Sequence, residues 1–117
     1  MKVAELEGAL LDYWVGMAEG INPASIRIVQ PQNVCEWRER SGLWRRWGPS
    51  AKWDQGGPII DRKKIEFERS EYLEKGQIYA AIDPGGYAWG KTHLIAAMRA
   101  YVASKFGEEV PDIEKRL

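Results

Sequence analysis

A strand, a turn, a second strand and the start of a helix follow one another directly in residues 77–92. These residues read Gln77-Ile78-Tyr79-Ala80-Ala81-Ile82-Asp83-Pro84-Gly85-Gly86-Tyr87-Ala88-Trp89-Gly90-Lys91-Thr92. The first six are mostly apolar with a loose alternation, which is typical of a strand. The run Asp83-Pro84-Gly85-Gly86 combines residues that favour tight turns. We therefore predict a β-hairpin in which Tyr87-Ala88-Trp89 returns beside residues 77–82.

A helix from Thr92 to Lys105 is predicted to follow the hairpin. The Thr92 hydroxyl can accept a hydrogen bond from a free amide of the first turn, and Gly107 ends the helix. Its small residues share one face, which consists of Ala96, Ala100 and Ala103. Because small side chains let backbones approach closely, this face is expected to pack against the N-terminal helix.

The other end of the chain is also predicted to be helical. In residues 1–20, several polar and glycine positions share one sector of about 80° at 100° per residue, and apolar residues fill most of the rest. Such a helix is enclosed on most sides, and Gly20 with Asn22-Pro23 ends it. Between the helices, Ile26-Arg27-Ile28 and Ile65-Glu66-Phe67-Glu68 alternate apolar and charged residues, which predicts short strands.

These elements predict an α+β fold in which two terminal helices pack on a small, mainly antiparallel sheet. A length of 117 residues suits one domain. The last residues are charged and contain Pro111. We therefore expect a single domain at residues 1–110 and a flexible charged tail at 111–117.

The composition excludes several classes of protein. Seventeen Lys and Arg balance seventeen Asp and Glu, so no net charge attracts the molecule to polyanions. One Cys and one His exclude an internal disulfide and a Cys/His metal cluster, and a single Cys fits a reducing compartment. The chain has no apolar run long enough to span a membrane and no secretory signal pattern. We expect a cytoplasmic protein that uses no metal or other cofactor.

One motif is typical of nucleotide-binding enzymes. The sequence from Gly85 to Thr92 fits the P-loop pattern G-x-x-x-x-G-K-[ST], whose fixed positions are Gly85, Gly90, Lys91 and Thr92. In a working P-loop the backbone amides wrap the phosphates, the Lys pairs with them and the hydroxyl holds Mg²⁺. A nucleotide-binding protein that uses these residues is therefore one alternative.

The surrounding sequence does not favour this alternative. A P-loop strand needs a crossover connection to a parallel neighbour, and only 25 residues follow Thr92. Tyr87 and Trp89 are also bulky where the backbone must approach phosphate closely. A turn, a short strand and a helix cap explain the same letters.

Residues 36–53 interleave aromatic and basic side chains. They contain Trp37, Trp44, Trp47 and Trp53 with five basic and two acidic residues, a local net charge of +3. Such a segment suits single-stranded nucleic acid, whose bases stack on aromatic rings, and this is the second alternative. In a neutral protein we favour the interpretation that these indoles enlarge the core of a short sheet while Arg stems cover them. A Trp- and Arg-rich surface for a protein partner is the third option.

Three blocks of the sequence resemble the NinX-type family of small phage and prophage proteins. They are Met1-Lys2-Val3, Trp53-Asp54-Gln55-Gly56-Gly57-Pro58-Ile59-Ile60-Asp61-Arg62 and Leu94-Ile95-Ala96-Ala97-Met98-Arg99-Ala100-Tyr101-Val102-Ala103-Ser104-Lys105-Phe106-Gly107. The resemblance implies a phage-encoded protein of the bacterial host cytoplasm, and it implies no particular biochemical activity. Family members commonly carry Gly-Pro-Thr-Pro where this chain has Gly90-Lys91-Thr92-His93. The resemblance thus implies a shared helix entry and not shared phosphate chemistry.

The Gly56-Gly57-Pro58 block is where a site shared by the family would be expected. Glycines permit backbone conformations that other residues avoid. Trp53 could form one wall of a pocket there, and Asp54 and Gln55 could make polar contacts. The simpler interpretation is a structural turn that orients a short helix beginning at Pro58.

The sequence therefore favours a non-catalytic phage accessory or interaction protein over an enzyme. Its candidate contact surface consists of Trp37, Trp44, Arg45, Arg46, Trp47, Trp53, Asp54, Gln55, Gly56 and Gly57. The expected partner is a host or phage protein, and the chain is expected to be a monomer or a homodimer. No catalytic residue and no metal ligand is predicted.

Overall fold

The structure is a computed structural model that describes residues 1–68 and 76–113. These residues form the helices α1 (Gly8–Ala18), α2 (Trp53–Lys63) and α3 (His93–Phe106). They also form the strands β1 (Ile26–Val29), β2 (Val34–Arg38), β3 (Trp44–Arg46), β4 (Glu66–Glu68), β5 (Ile78–Ile82) and β6 (Gly86–Gly90). Two short 3-10 helices cover Val3–Glu5 and Pro23–Ser25. The predicted α+β class is confirmed.

The strands make two separate antiparallel sheets and not the single predicted sheet. The first sheet has the order β1-β2-β3 and the second has the order β4-β5-β6. The predicted hairpin is confirmed, because β5 pairs with β6 in a register that places Tyr79 opposite Trp89. The helices also differ from the prediction, because α2 lies in the middle of the chain and joins the two sheets in sequence.

The N-terminal helix is shorter than residues 1–20. It begins at Gly8, whose φ of 58° is unusual for other residues, after Glu7 in an extended conformation. The segment before α1 is hydrogen-bonded to the C-terminal part of the chain, since the Val3 amide donates to the Glu108 carbonyl (2.9 Å). The periodicity of the apolar residues indicated the helix correctly, but the long-range pairing of the first residues could not be predicted from it.

The helix α1 covers the inner face of the first sheet. Ala9 of α1 is buried with Ile26 of β1 and Cys35 of β2. Gly16 also lies against the sheet, because a Cβ at this position would collide with the Ile26 side chain. The contact therefore depends on small residues in the helix facing larger ones in the strands.

The helix α3 covers the inner face of the second sheet at short range. A Cβ on Gly86 would overlap the Ala100 carbonyl oxygen, and a Cβ on Gly90 would lie 2.6 Å from the Ala96 nitrogen. The alanine face of α3 therefore packs on β6, and the expectation that its close neighbour is the N-terminal helix was wrong. Glycine on the strand and alanine on the helix together bring the two backbones close.

One large apolar core joins the three helices and the second sheet. Its fully buried members include Leu6, Leu11, Val15, Met98, Tyr101 and Val102. Val110 and Ile113 are also buried in it. Of the predicted flexible tail at 111–117, residues 114–117 lie outside the described residues.

A hydrogen-bond network at the edge of this core connects the end of α1 with α2 and α3. The Tyr101 hydroxyl donates to Glu19 Oε2 (2.7 Å) and lies 3.2 Å from the Ala18 carbonyl oxygen. Arg62 of α2 donates to the same carboxylate oxygen (2.5 Å). Burial, with the Glu19 charge, raises the pKa of Tyr101, so this hydroxyl stays a hydrogen-bond donor.

Within residues 1–68 and 76–113, no helix has the length and apolar character needed to cross a membrane.

Candidate functional site

Each sheet has a helix on its inner face and exposes charged or aromatic side chains on the other face. We call the outer side of the first sheet the basic face, which consists of Arg27, Glu36, Arg38, Trp44 and Arg46. We call the outer cluster of the second sheet the aromatic face, which consists of Tyr79, Tyr87 and Trp89. These two surfaces are the candidates for a functional site.

On the basic face, Trp44 is bound by an arginine of its own chain. The Arg27 guanidinium carbon lies 3.9 Å from the centroid of the Trp44 ring. The same guanidinium donates from Nε (3.0 Å) and Nη2 (2.8 Å) to Glu36 Oε1. Arg38 also approaches the ring, at 5.6 Å. The indole is therefore engaged by cations of its own chain.

The other predicted indoles divide between the interior and the surface. Trp47 is half-buried, packs against α1 and donates from Nε1 to the Asp12 carbonyl oxygen (2.8 Å). Trp37 is half-buried on β2, opposite Ile26. Trp53 is 57% exposed at the start of α2. The tryptophans of residues 36–53 therefore do not form one stacking platform, and the structure gives the nucleic-acid alternative no support.

The Gly56-Gly57-Pro58 block lies inside a helix and does not form a loop. The helix begins at Trp53 and not at Pro58 as predicted, and Pro58 lies exposed in its interior. Since Pro has no amide hydrogen, it removes one helical hydrogen bond, on the side that faces water. The predicted residues of this block thus form the first turns of α2 and not the rim of a pocket.

Gln55 and Gly56 attach the start of α2 to the segment that follows the first sheet. The Gln55 side chain accepts from the Gly48 amide (2.6 Å) and donates to the Arg46 carbonyl oxygen (2.9 Å). Gly56 is buried, and a Cβ there would overlap the Pro49 carbonyl oxygen and lie 2.6 Å from a Leu94 methyl group. Gln55 and Gly56 therefore have structural roles, whereas Arg45, Arg46, Trp53 and Asp54 remain exposed.

Asp12 of α1 is a buried carboxylate. It is 6% exposed, and its Oδ1 accepts from the Ser50 amide (2.8 Å). Burial raises its pKa from 3.8 to about 6, and the hydrogen bonds from Ser50 oppose that shift. Burial, followed by the charge of Asp12, raises the pKa of the nearby Cys35 thiol to about 12. This thiol is therefore a poor nucleophile and acts as a small buried side chain.

The P-loop-like residues form a strand and a helix cap. Gly86–Gly90 are β6, which pairs antiparallel with β5, so the backbone runs along a ladder and does not wrap a phosphate. The Thr92 hydroxyl accepts from the Ile95 amide (3.1 Å) and caps α3, as predicted. Lys91 is exposed beside the cap. This geometry gives the nucleotide-binding alternative no support.

The aromatic face was not among the sites predicted from the sequence. Tyr87 and Trp89 are 53% and 37% exposed, and they alternate with the buried Gly86, Ala88 and Gly90. The signal was present as large and small residues in strict alternation along this strand, which places all the large side chains on one side. That side is the one that α3 does not cover.

The three rings of the aromatic face contact one another. Tyr87 and Trp89 meet edge to face with centroids 5.8 Å apart, and Tyr79 meets Trp89 at 5.5 Å. Tyr79 and Tyr87 are stacked at 6.2 Å with 29° between their planes. Such contacts hold the rings in fixed orientations, so the face is a preformed and partly apolar surface.

A cleft of about 370 Å³ borders the aromatic face at the free edge of β6. It lies between this strand, the N-terminal segment at Lys2–Ala4 and the residues after α3, Gly107–Glu109. Arg99 links the N-terminal segment to β6, since it donates from Nε to the Leu6 carbonyl (2.8 Å) and from Nη1 to the Trp89 carbonyl (2.8 Å). Burial lowers the pKa of Arg99, and the charge of Glu7 opposes that shift.

The fold and these surfaces define a small α+β protein with open sheet faces that carry aromatic and charged side chains. Comparison with protein families gives the more specific assignment. The family model described as bacteriophage P22 NinX matches residues 2–105, so the chain belongs to this phage family. The resemblance found in the sequence is thus confirmed. A comparison with curated proteins finds no match, and the described residues contain no group of three His, Cys, Asp or Glu side chains that could hold a metal ion.

Proposed function

We propose that this chain is a non-catalytic phage accessory protein that binds another protein, encoded by the phage or its host, through the aromatic face. The observation that carries the proposal is the exposure of Tyr87 and Trp89 beside Tyr79 on a sheet face that α3 leaves open. Tyr and Trp are enriched at protein interfaces and in the small set of residues that dominate binding energy.

The rigidity of the cluster favours its use in binding. Full burial of a large apolar side chain stabilises a complex by about 1.5–3 kcal/mol. Part of that gain is normally lost when a flexible side chain is immobilised. Because Tyr79, Tyr87 and Trp89 already pack against one another, this loss is small for the aromatic face.

A second proposed contact region comes from the surface predicted from sequence and consists of the exposed Arg45, Arg46, Trp53 and Asp54 and the half-buried Trp44. It ranks below the aromatic face because the Trp44 ring is engaged by Arg27. We further propose that the protein acts in the cytoplasm of the bacterial host, as a member of a phage family with an unpaired, buried Cys35.

Cross-linking in phage-infected cells tests the proposed function. The double variant Tyr87→Ser with Trp89→Ser removes two of the three aromatic side chains, and both positions are exposed, so the fold is expected to persist. A defined partner should cross-link near β6 in the wild-type protein and disappear in this variant. Circular dichroism of the purified variant verifies folding.

The control is Trp53→Ser, which removes an indole from α2 that is more exposed than Trp89. The partner should be retained in this control if the aromatic face binds it. A partner that persists in the double variant, or one that is lost only with Trp53→Ser, would contradict the assignment and would favour the second contact region.

A further inference from the structure

The basic face contains an arginine that is held jointly by an aromatic ring and a carboxylate. The Arg27 guanidinium lies over the Trp44 ring at 3.9 Å and is paired with Glu36 at 2.8 Å. The ring attracts the cation through its negative face, while the carboxylate accepts hydrogen bonds in the guanidinium plane. The chain thus shows how a Trp and a Glu on one sheet face bind a guanidinium together.

The second sheet presents the same two kinds of group on its outer side. Glu68 of β4 is opposite Tyr79, and Tyr79 is opposite Trp89, so a carboxylate and two rings share one cross-strand row. Neighbouring strands lie about 4.8 Å apart, which brings this carboxylate within reach of a group that contacts the rings. In the adjacent row Glu66 is opposite Ala81, whose small side chain leaves space beside Tyr87.

The charged residues on the outer side of the described strands of this sheet are both acidic. Across the described strands of the second sheet, the outward-facing residues are Glu66, Glu68, Tyr79, Ala81, Tyr87 and Trp89. Both carboxylates are exposed. An aromatic surface with a negative border is complementary to cations, and it repels the phosphates of a nucleic acid or a nucleotide.

We propose that the aromatic face and the adjoining Glu66 and Glu68 bind arginine side chains of the partner protein. A guanidinium stacks on a ring of the cluster while its edge donates to a carboxylate, as Arg27 does between Trp44 and Glu36. This inference rests on the proposed function, because it names the chemistry of the partner at the same surface.

Arginine fits this surface better than lysine. The guanidinium is planar and weakly hydrated, so it can lie flat on a ring and still use its edge for hydrogen bonds. The lysine ammonium is compact and strongly hydrated, and it has no plane to stack. An arginine-bearing segment therefore gains from both the rings and the carboxylates, whereas a lysine-bearing segment gains mainly from charge.

Titration with a defined peptide tests the inference. The probe is acetyl-(Gly-Arg)4-amide, with its lysine and citrulline counterparts, in buffer of low ionic strength. The readout is the NMR signal of the indole Nε1–H of each Trp, assigned by single Trp→Phe variants. The arginine peptide should shift the Trp89 signal and bind at least about five-fold more tightly than the lysine peptide, and the neutral citrulline peptide should have no effect.

Paired variants separate the carboxylates from charge in general. Glu66→Gln with Glu68→Gln should weaken the arginine peptide about five-fold, since each exposed ion pair contributes modestly. Asp54→Asn with Asp61→Asn removes two exposed negative charges from α2 and should change the affinity less than two-fold. Equal affinity for the arginine and lysine peptides, or equal effects of the two double variants, would overturn the inference.

Self-association is the main competing occupant of this surface. The basic face of a second copy carries Arg27, Arg38 and Arg46, so analytical ultracentrifugation of the protein alone is part of the test. A concentration-dependent dimer that Trp89→Ser abolishes would assign the face to a second copy and overturn the inference. A monomer at the same concentrations supports it.

The inference and the proposed function can fail separately. If the cross-linked partner is lost in the Tyr87 and Trp89 double variant but kept in the Glu66 and Glu68 double variant, the proposed function holds and the arginine inference fails. If the partner is kept in both, the proposed function fails, whatever the peptide titration gives.

Discussion

A methyl group added at Gly86 should destabilise this protein strongly, because α3 lies directly on β6. The added Cβ would overlap the Ala100 carbonyl oxygen and lie 2.5 Å from Ile82 Cγ2 and 2.6 Å from Ser104 Cβ. A carbonyl oxygen belongs to the helix backbone and cannot rotate away as a side chain can. The Gly86→Ala variant must therefore move the helix or the strand.

The size of the effect follows from these contacts. Overpacking a closed interior costs about 1–3 kcal/mol, and the position of the Ala100 oxygen in the helix backbone favours the upper end. The lower chain entropy of unfolded Ala compared with Gly offsets about 0.5 kcal/mol. We expect a net loss of about 2.5 kcal/mol in the free energy of unfolding. With an unfolding entropy of about 0.25 kcal/mol/K for a chain of this length, the melting temperature should fall by about 10 °C.

Urea and thermal unfolding followed by circular dichroism measure this change, and Gly57→Ala is the matched control. Gly57 lies within α2, and a Cβ there would meet only a Trp53 ring carbon, at an ordinary 3.7 Å. The same substitution should therefore stabilise the protein by about 0.5–1 kcal/mol through helix propensity. If Gly86→Ala unfolds like the wild type, α3 does not lie this close to β6, and the helix packs on the strand more loosely than described.

Two further predictions concern Asp12 and the entrance of α3. Because burial raises the pKa of Asp12 from 3.8 to about 6, the folded chain binds its proton more tightly than the unfolded chain, and the free energy of unfolding falls as pH rises from about 4 to 6. Asp12→Asn should remove this decline, which is at most about 3 kcal/mol, from urea unfolding curves between pH 4 and 7; an unchanged pH dependence would assign the decline to another group. Thr92→Ala should lose about 1 kcal/mol because the cap to Ile95 disappears, whereas Lys91→Ala should change stability by less than about 0.5 kcal/mol in the same assay. An equal loss in both variants would contradict the capping role.

The segments that could be predicted from the sequence are those whose signals are local. Thr92 caps α3 and Gly107 ends it, as the residue types at these two positions indicate. The turn at Asp83-Pro84-Gly85 joins β5 to β6. In each case, residues within four or five positions determine the backbone conformation.

The features that could not be predicted depend on contacts between distant segments. The helix α2 begins before two glycines and a proline, residues of low helix propensity. Its first turn is held by Gln55, which bonds to Gly48 and Arg46, and by the close fit of Gly56 against Pro49. Packing therefore overrides local propensity, and this also explains why the Gly-Gly-Pro block was interpreted as a turn.

Contacts between distant segments also explain why only part of the predicted contact surface is exposed. Trp47 and Gln55 are chemically suited to binding, but their polar atoms are already bonded to Asp12, Gly48 and Arg46. No pattern in residues 36–57 distinguishes them from Trp53, which is exposed. Whether one of these side chains is bonded internally or exposed depends on the positions of α1 and of the end of β3. The sequence alone could not predict these positions.

The alternation along β6 gives a physical reason to assign a binding role to the aromatic face. A register shift of one residue would turn Tyr87 and Trp89 inward, where full burial would contribute about 1.5–3 kcal/mol each. The structure instead places Gly86, Ala88 and Gly90 inside, against a helix face of similarly small residues. Because α3 leaves no room for larger groups there, the two aromatic side chains are held in water at the expense of stability. Such an arrangement is expected where the exposed rings contribute to binding a partner.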